Sequence, residues 1–215
     1  MVRRTKEEAL ETRNRILDAA EQVFYDKGVS RTSLADIAAQ AGVTRGAIYW
    51  HFANKGDVFT AMFDRVLLPL DELLEGDEDP ANPLARLAEV LKWCLRASST
   101  DLRRRRVFDI LFLKCEFVDD MGPVKARHQT TMEEGVGKIE GDLQRAIAKG
   151  QLPADLDSRR AALFLHAFIG GFLRDSLMLP PSIDLPCHLE PFIDACFDML
   201  RTSPALRRPT GKQAT

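Results

Sequence analysis

The sequence has little of what most catalysts and metal proteins display. Its four cysteines, Cys94, Cys115, Cys187 and Cys196, lie far apart and form no C-x-x-C pair. In a chain without a signal peptide they read as reduced thiols, mostly buried; a redox-sensing thiol is the competing reading. The four histidines do not pair with them at metal-ligand spacing, and the neighbours Cys187 and His188 point in different directions on a helix, so no metal site is expected. There is no glycine-rich phosphate loop, no G-x-S-x-G and no facing pair of carboxylates, since Glu133 and Glu134 are adjacent. An enzyme therefore has no support among the motifs, and no cofactor is expected. Runs of β-branched residues with a period of two are short and rare, which excludes a sheet protein.

Long apolar runs are missing as well. The first six residues carry Arg3, Arg4 and Lys6 with no apolar run behind them, unlike a secretory signal. The apolar stretch 161–173 is interrupted by His166 and closed by Arg174 and Asp175, short of the roughly 20 residues that a bilayer span needs. A cytoplasmic protein that does not enter a membrane is expected. Net charge is only −2, which argues against bulk coating of nucleic acid. The distribution is more telling: residues 1–55 hold nine basic and seven acidic side chains, or +2, and the remainder carries −4. A weakly basic head on an acidic body is compatible with a DNA reader.

What is present is helical periodicity along nearly the whole chain. The pattern predicts a first helix over 6–27, with Ile16, Leu17, Ala20, Val23 and Phe24 inward and Gly28 closing it. Ser33 and Asp36 form an S-x-x-D capping box for a second, short helix that ends at Gly42. Thr44 caps a third helix over about 45–52, and Asn54 with Asp57 caps a fourth over 54–74. Further helices are expected at about 83–98, 101–119, 122–150, 158–179 and 186–203. The acidic loop 75–80 separates the fourth and fifth. The fold class is all-α, a three-helix head over 1–55 and a bundle of about six helices over 56–206, with 207–215 a flexible tail.

Residues 32–52 have a mechanical logic. Two short helices crossing steeply need a tight turn, supplied by Gly42. Ala38 keeps the crossing close, and Ile37, Val43, Ile48 and Phe52 fill the wedge against the first helix. The outward face of the third helix then offers Thr44, Arg45, Tyr49 and His51, donors and aromatics suited to phosphates and base edges. Gly46 would let the backbone approach a groove. Trp50 suits either a small core or a phosphate contact through its indole N–H. His51 or Lys55 alone would be an ordinary surface residue.

This stretch, ending in Tyr49-Trp50-His51-Phe52 with Lys55 following, resembles the helix-turn-helix of the TetR family of transcriptional repressors. The resemblance implies that Arg45 reads a base edge, that Tyr49 meets a phosphate or a thymine methyl, and that Thr32, Ser33, His51 and Lys55 hold the DNA backbone. A narrower likeness, to repressors of multidrug efflux pumps within that family, is carried by the opening 2–9, by 113–118, by 151–156 and by 203–207. It implies double-stranded operator DNA as one partner and a small hydrophobic or aromatic effector as the other.

An effector pocket needs apolar walls with few polar groups. Met62, Val66, Leu91, Leu95, Phe108, Phe112, Met132, Val136, Phe168 and Phe172 are the expected wall, though each also suits ordinary core packing. Arg174 follows a long apolar stretch, and a matching arginine lines the pocket of the resembled repressors; pairing with Asp175 is the alternative. The resemblance also implies a homodimer through the last two long helices. Ala161, Ala162, Leu165, Ile169 and Leu173 on one, with Phe192, Ala195, Cys196 and Met199 on the other, are the expected stripes. Burial of both stripes within one subunit is the competing reading. An activator, or a DNA-binding protein without an effector, stays open beside the repressor.

Overall fold

The structure, a computed structural model, describes residues 6–75, 82–115, 122–180 and 182–209. The opening at 2–5, the acidic loop at 76–80, residues 116–118 and the end of the tail at 210–215 lie outside the described residues. Nine α-helices are formed among the described residues: α1 Lys6–Lys27, α2 Leu34–Ala41, α3 Arg45–His51, α4 Lys55–Glu75, α5 Pro83–Thr100, α6 Leu102–Leu113, α7 Gly122–Ala148, α8 Ser158–Met178 and α9 Leu189–Thr202. No strand occurs among them; the sole β feature is an isolated antiparallel bridge between Leu156 and Arg207.

The chain divides into two compact units, 1–71 with 102–129, and 72–101 with 130–215. Compactness thus groups α6 and most of α4 with the three-helix head, and two of the three division points, in α4 and α7, fall inside helices. In the first unit α1 is the organising element, touching α2, α3 and α6. Glu7 and Glu8 sit in its first turn and Lys27 in its last, where each complements the helix dipole. Its apolar stripe is fully inside, with Ile16, Leu17, Ala20 and Phe24 at 0% exposure, and the Phe24 ring meets Phe59 of α4 at 6.0 Å. Gly28 ends the helix at φ +82°, a left-handed conformation that costs other residues more than glycine.

The α6 helix stops at Leu113, several residues before the periodicity suggests. At that point the backbone is recruited elsewhere: the Val29 N–H donates to the Lys114 carbonyl at 3.1 Å, and the Lys114 ammonium donates to the Tyr25 carbonyl at 2.7 Å. These bonds hold the end of α6 against the turn that follows α1.

In the second unit α5 packs against α8 and α9. Asn82 caps α5 through the Ala85 N–H, Asp157 caps α8 through the Arg160 N–H, and Gln151 bonds both the Leu84 N–H and Asn82. Lys92 reaches Glu190 and Asp194 of α9, each at 3.1 Å, and Arg96 also pairs with Glu190. Ala161, Ala162, Leu165, Phe172 and Leu173 form the buried face of α8. Among the described residues α8 is the one helix with the length and apolar content to cross a bilayer, but its apolar stripe serves the core of this unit. Arg207 and Arg208, assigned to the tail by their sequence, are held in place. Arg207 donates to the carbonyls of Leu200 and Arg201, and the Arg208 N–H donates to the Asp155 carbonyl. All four cysteines are free thiols, Cys94 and Cys196 buried and Cys187 exposed; burial pushes the Cys196 thiol up to about 11.

Candidate nucleic-acid interface

The two short helices of the head are built by their caps. The Asp36 N–H donates to Ser33 Oγ at 3.2 Å while the Ser33 N–H donates to Asp36 Oδ2 at 2.9 Å, the reciprocal pattern that the S-x-x-D spacing requires. Lys27 of α1 donates to Asp36 Oδ1 at 2.7 Å. The lysine bond first, and then the Ser33 bonds, hold the Asp36 carboxyl well below the usual carboxylate range. Gly42 takes φ +64° to turn the chain, and the Ala47 N–H donates to Thr44 Oγ1 to open α3. Ile37 and Ile48 are fully buried between the helices, with Ala38 and Phe52 nearly so. Val43 is half-buried. The Arg13 guanidinium stacks 5.3 Å above the Phe52 ring, bracing α1 against the end of the motif.

This leaves one row of α3 outside. Arg45 and Gly46 are exposed, Tyr49 is 51% exposed and Trp50 72%. The side chains of Arg45 and Tyr49 have no hydrogen-bond or ion-pair partner among the described residues. A Cβ added at Gly46 would meet only Thr44 Oγ1, at 3.9 Å, so nothing within the protein demands a glycine there. Trp50 is no core residue; its ring edge meets His51 at 4.5 Å, and His51 is half-buried.

Two expected backbone holders prove to be engaged elsewhere. Thr32 is buried, and its hydroxyl donates to the Gly28 carbonyl at 2.8 Å; it closes the turn after α1 rather than facing outward. The Lys55 ammonium donates to the Ser30 carbonyl at 3.1 Å, tying the start of α4 to the segment that leads into α2. Ser33 is exposed, and its hydroxyl bonds Asp36 within the cap.

A charge cluster invisible as a motif joins α1 to α4 and α6. Glu21, with a side chain only 5% exposed, lies 3.2 Å from Arg103 Nε, 3.4 Å from Arg106 and 3.7 Å from Arg65. Asp18 pairs with Arg65 at 2.9 Å and with Arg103. Burial outweighs the three guanidinium groups, so the Glu21 carboxyl titrates above its ordinary value. Its partners are more than 40 positions away; the one local signal was the run of four arginines at 103–106.

The expected effector wall divides between the units. In the first, Met62, Val66 and Phe108 are buried and Phe112 half-buried. Phe108 stacks on Phe112 at 6.0 Å and meets Phe63 edge-on at 6.3 Å. In the second, Leu91, Leu95, Val136 and Phe172 are buried, and Phe168, Phe172 and Phe192 form a ring triad with centroids 6.0 to 6.5 Å apart. Met132 is 43% exposed and faces outward. Arg174 is also exposed and bonds Asp175 at 3.1 and 3.2 Å, the surface pairing rather than a pocket position. His166 is half-buried beside Gly135, where a Cβ would meet its ring at 3.6 Å, an ordinary contact; burial lowers its pKa.

The stripes expected to meet a second subunit need a similar correction. Ala161, Ala162, Leu165 and Leu173, with Cys196 of α9, are buried within the second unit. The outer faces are carried by Leu163, Ala167 and Arg174 on α8 and by Phe192, Ala195 and Met199 on α9. A Cβ at Gly170 or Gly171 would meet nothing within 4 Å.

Residues 16–62 match the model of the bacterial regulatory proteins of the tetR family, and residues 82–202 match the C-terminal region of MAATS-type transcriptional repressors. The chain is 46% identical over 210 residues to the HTH-type transcriptional regulator TtgR of Pseudomonas putida, covering 97% of this chain and all of that protein. Among solved structures, the fold is similar to NalD of Pseudomonas aeruginosa, the secondary repressor of the MexAB-OprM multidrug efflux pump, with a TM-score of 0.82 and 34% identity over 91% of this chain and 98% of that one. It is similar also to SmeT, the repressor of the Stenotrophomonas maltophilia efflux pump SmeDEF, in its triclosan complex, with a TM-score of 0.81 and 33% identity over 93% and 96% of the two chains.

Proposed function

The chain belongs to the TetR family of bacterial regulatory proteins, and from that membership we propose that it is a cytoplasmic, homodimeric repressor of a multidrug efflux operon. It is a DNA-binding transcriptional regulator and not an enzyme. It is released from its operator by small hydrophobic or aromatic compounds, of which triclosan, bound by SmeT, is an example. The observation that carries the DNA-binding half is the outer row of α3, where Arg45 and Tyr49 stand uncommitted on a scaffold whose other polar groups are capped. Arg45 reads a guanine edge, for which a planar guanidinium is suited. Tyr49 meets a phosphate or thymine methyl, Trp50, His51, Ser33 and Thr44 hold the backbone, and Gly46 admits it closely. Lys55 acts through the Ser30 carbonyl, by fixing the entry into α2.

Dimerisation uses the outer faces of α8 and α9, since one short reading helix spans only a few base pairs and a two-fold axis doubles the site. Effector binding against the apolar wall displaces α4, and Arg65 on that helix carries the displacement to Asp18 and Glu21 of α1. Linkage then requires effector and operator to weaken each other by the same factor. Fluorescence anisotropy with a labelled operator fragment tests this. Triclosan should lower operator affinity by a factor equal to that by which operator lowers triclosan affinity. Binding of both without mutual effect would overturn the sensor reading.

A further inference from the structure

The first unit holds a cavity of about 520 Å3 that has no lining residue on α3 and shares only Phe112 with the expected effector wall. Its lining comes from the end of α1, the turn after it and the end of α6: Tyr25, Asp26, Ser30, Arg31, Phe112 and Lys114 are its polar and aromatic residues. The volume is in the range of small-molecule sites.

The charge around this cavity is uneven. Lys114 is engaged: its ammonium bonds the Tyr25 carbonyl, lies 4.1 Å above the Tyr25 ring and sits 3.8 Å from Asp109. Asp26 accepts from the Gln22 amide at 2.7 Å. Arg31 is different. Its guanidinium lies over Gly28, within 3.7 Å of where a Cβ would be, and has no carboxylate partner among the described residues. The Ser30 hydroxyl beside it is also without a hydrogen-bond partner there. The half-buried Phe112 ring and the exposed Leu113 side chain line the same cavity.

The cavity therefore offers a planar, forked donor and the hydroxyl of the neighbouring residue together with apolar side chains. A carboxylate joined to a flat apolar body satisfies both at once, because guanidinium and carboxylate pair bidentately. We propose that this cavity is a second ligand site, specific for small aromatic monocarboxylates, with Arg31 and Ser30 holding the carboxylate and Phe112 and Leu113 the ring. The site is separate from the effector wall of the second unit, and its ligand would touch the turn whose Ser30 carbonyl anchors Lys55 and which leads into α2.

Isothermal titration of the full-length protein with 1-naphthoate is the direct test. The wild-type chain should bind it, and bind the neutral 1-naphthalenemethanol at least about tenfold more weakly. Arg31→Glu and Arg31→Ala, exposed substitutions whose folding is checked by thermal melting, should each weaken naphthoate about tenfold or more, whereas Phe168→Ala in the second unit should not. Equal affinity for the acid and the alcohol overturns the proposal. So does loss of binding in the Phe168 variant with retention in the Arg31 variants, or no binding of naphthoate at all.

Discussion

The outer row of α3 and the outer faces of α8 and α9 are both exposed, yet they are exposed for different reasons. At α3 Thr44 caps the helix, and Arg45 and Tyr49 have no hydrogen-bond or ion-pair partner among the described residues. The surface is small, rigid and chemically specific. On α8 and α9 the exposed residues include large apolar side chains, Leu163, Phe192 and Met199 at 40% exposure or more. That surface is broad and specifies shape rather than hydrogen bonds. Polar side chains left unpaired on a rigid element suit base edges and phosphates; apolar side chains left outside suit another protein surface. The two glycine positions, Gly46 and Gly170, make the comparison testable, since at neither does the protein itself crowd a side chain.

The largest effect is expected at Gly46. Gly46→Leu raises helix propensity and should leave the melting temperature unchanged or higher, while operator affinity in a gel-shift titration falls about a thousandfold, towards the non-specific level. A normal affinity in this variant would break the claim that α3 approaches DNA closely. Next is the charge cluster that holds α1 against α4 and α6. Glu21→Ala leaves Arg65, Arg103 and Arg106 without their buried partner and should cost about 3 kcal/mol in chemical unfolding. Glu21→Gln should cost much less. Because burial raises the Glu21 pKa, the stability this group contributes is full below its ordinary value of about 4.5 and declines as pH rises through the folded value. A neutral amide avoids that loss.

Gly170→Leu should act on assembly alone. Sedimentation velocity would show a dimer weakened about tenfold or more by overpacking, with no loss of protomer stability; an unchanged dimer would place the interface elsewhere. The smallest effect belongs to His166. Burial lowers its folded pKa, so its neutral form is favoured on folding, and stability should fall as pH drops from about 6.5 through the folded value. His166→Gln should flatten that part of a melting-temperature profile.

Much of the head was legible because its determinants are local. Ser33 and Asp36 are three positions apart, Gly42 and Gly28 mark turns by their own backbone freedom, and Ile37, Ile48 and Phe52 recur at helical spacing, so each could be placed from its neighbours. The bonds that Thr32 and Lys55 make within the head were not legible, for the opposite reason. Their donors are taken by the Gly28 and Ser30 carbonyls, and backbone acceptors leave no mark in a sequence. In the body the helices were recognisable but their faces were not. Every residue of α8 from Ala161 to Leu173 is apolar or small except His166, and such a helix has no single obvious inner side.

Sequence alone therefore determined the all-α class, the helix-turn-helix and its caps, because these depend on periods and pairs within a few residues. Tertiary structure decided which stripe of α8 is buried, that Arg174 pairs with Asp175 at the surface, and that Glu21 is gripped by arginines from two other helices. Those outcomes depend on what packs against each face and on how far a charge is removed from water, and both are set by residues far away in the chain.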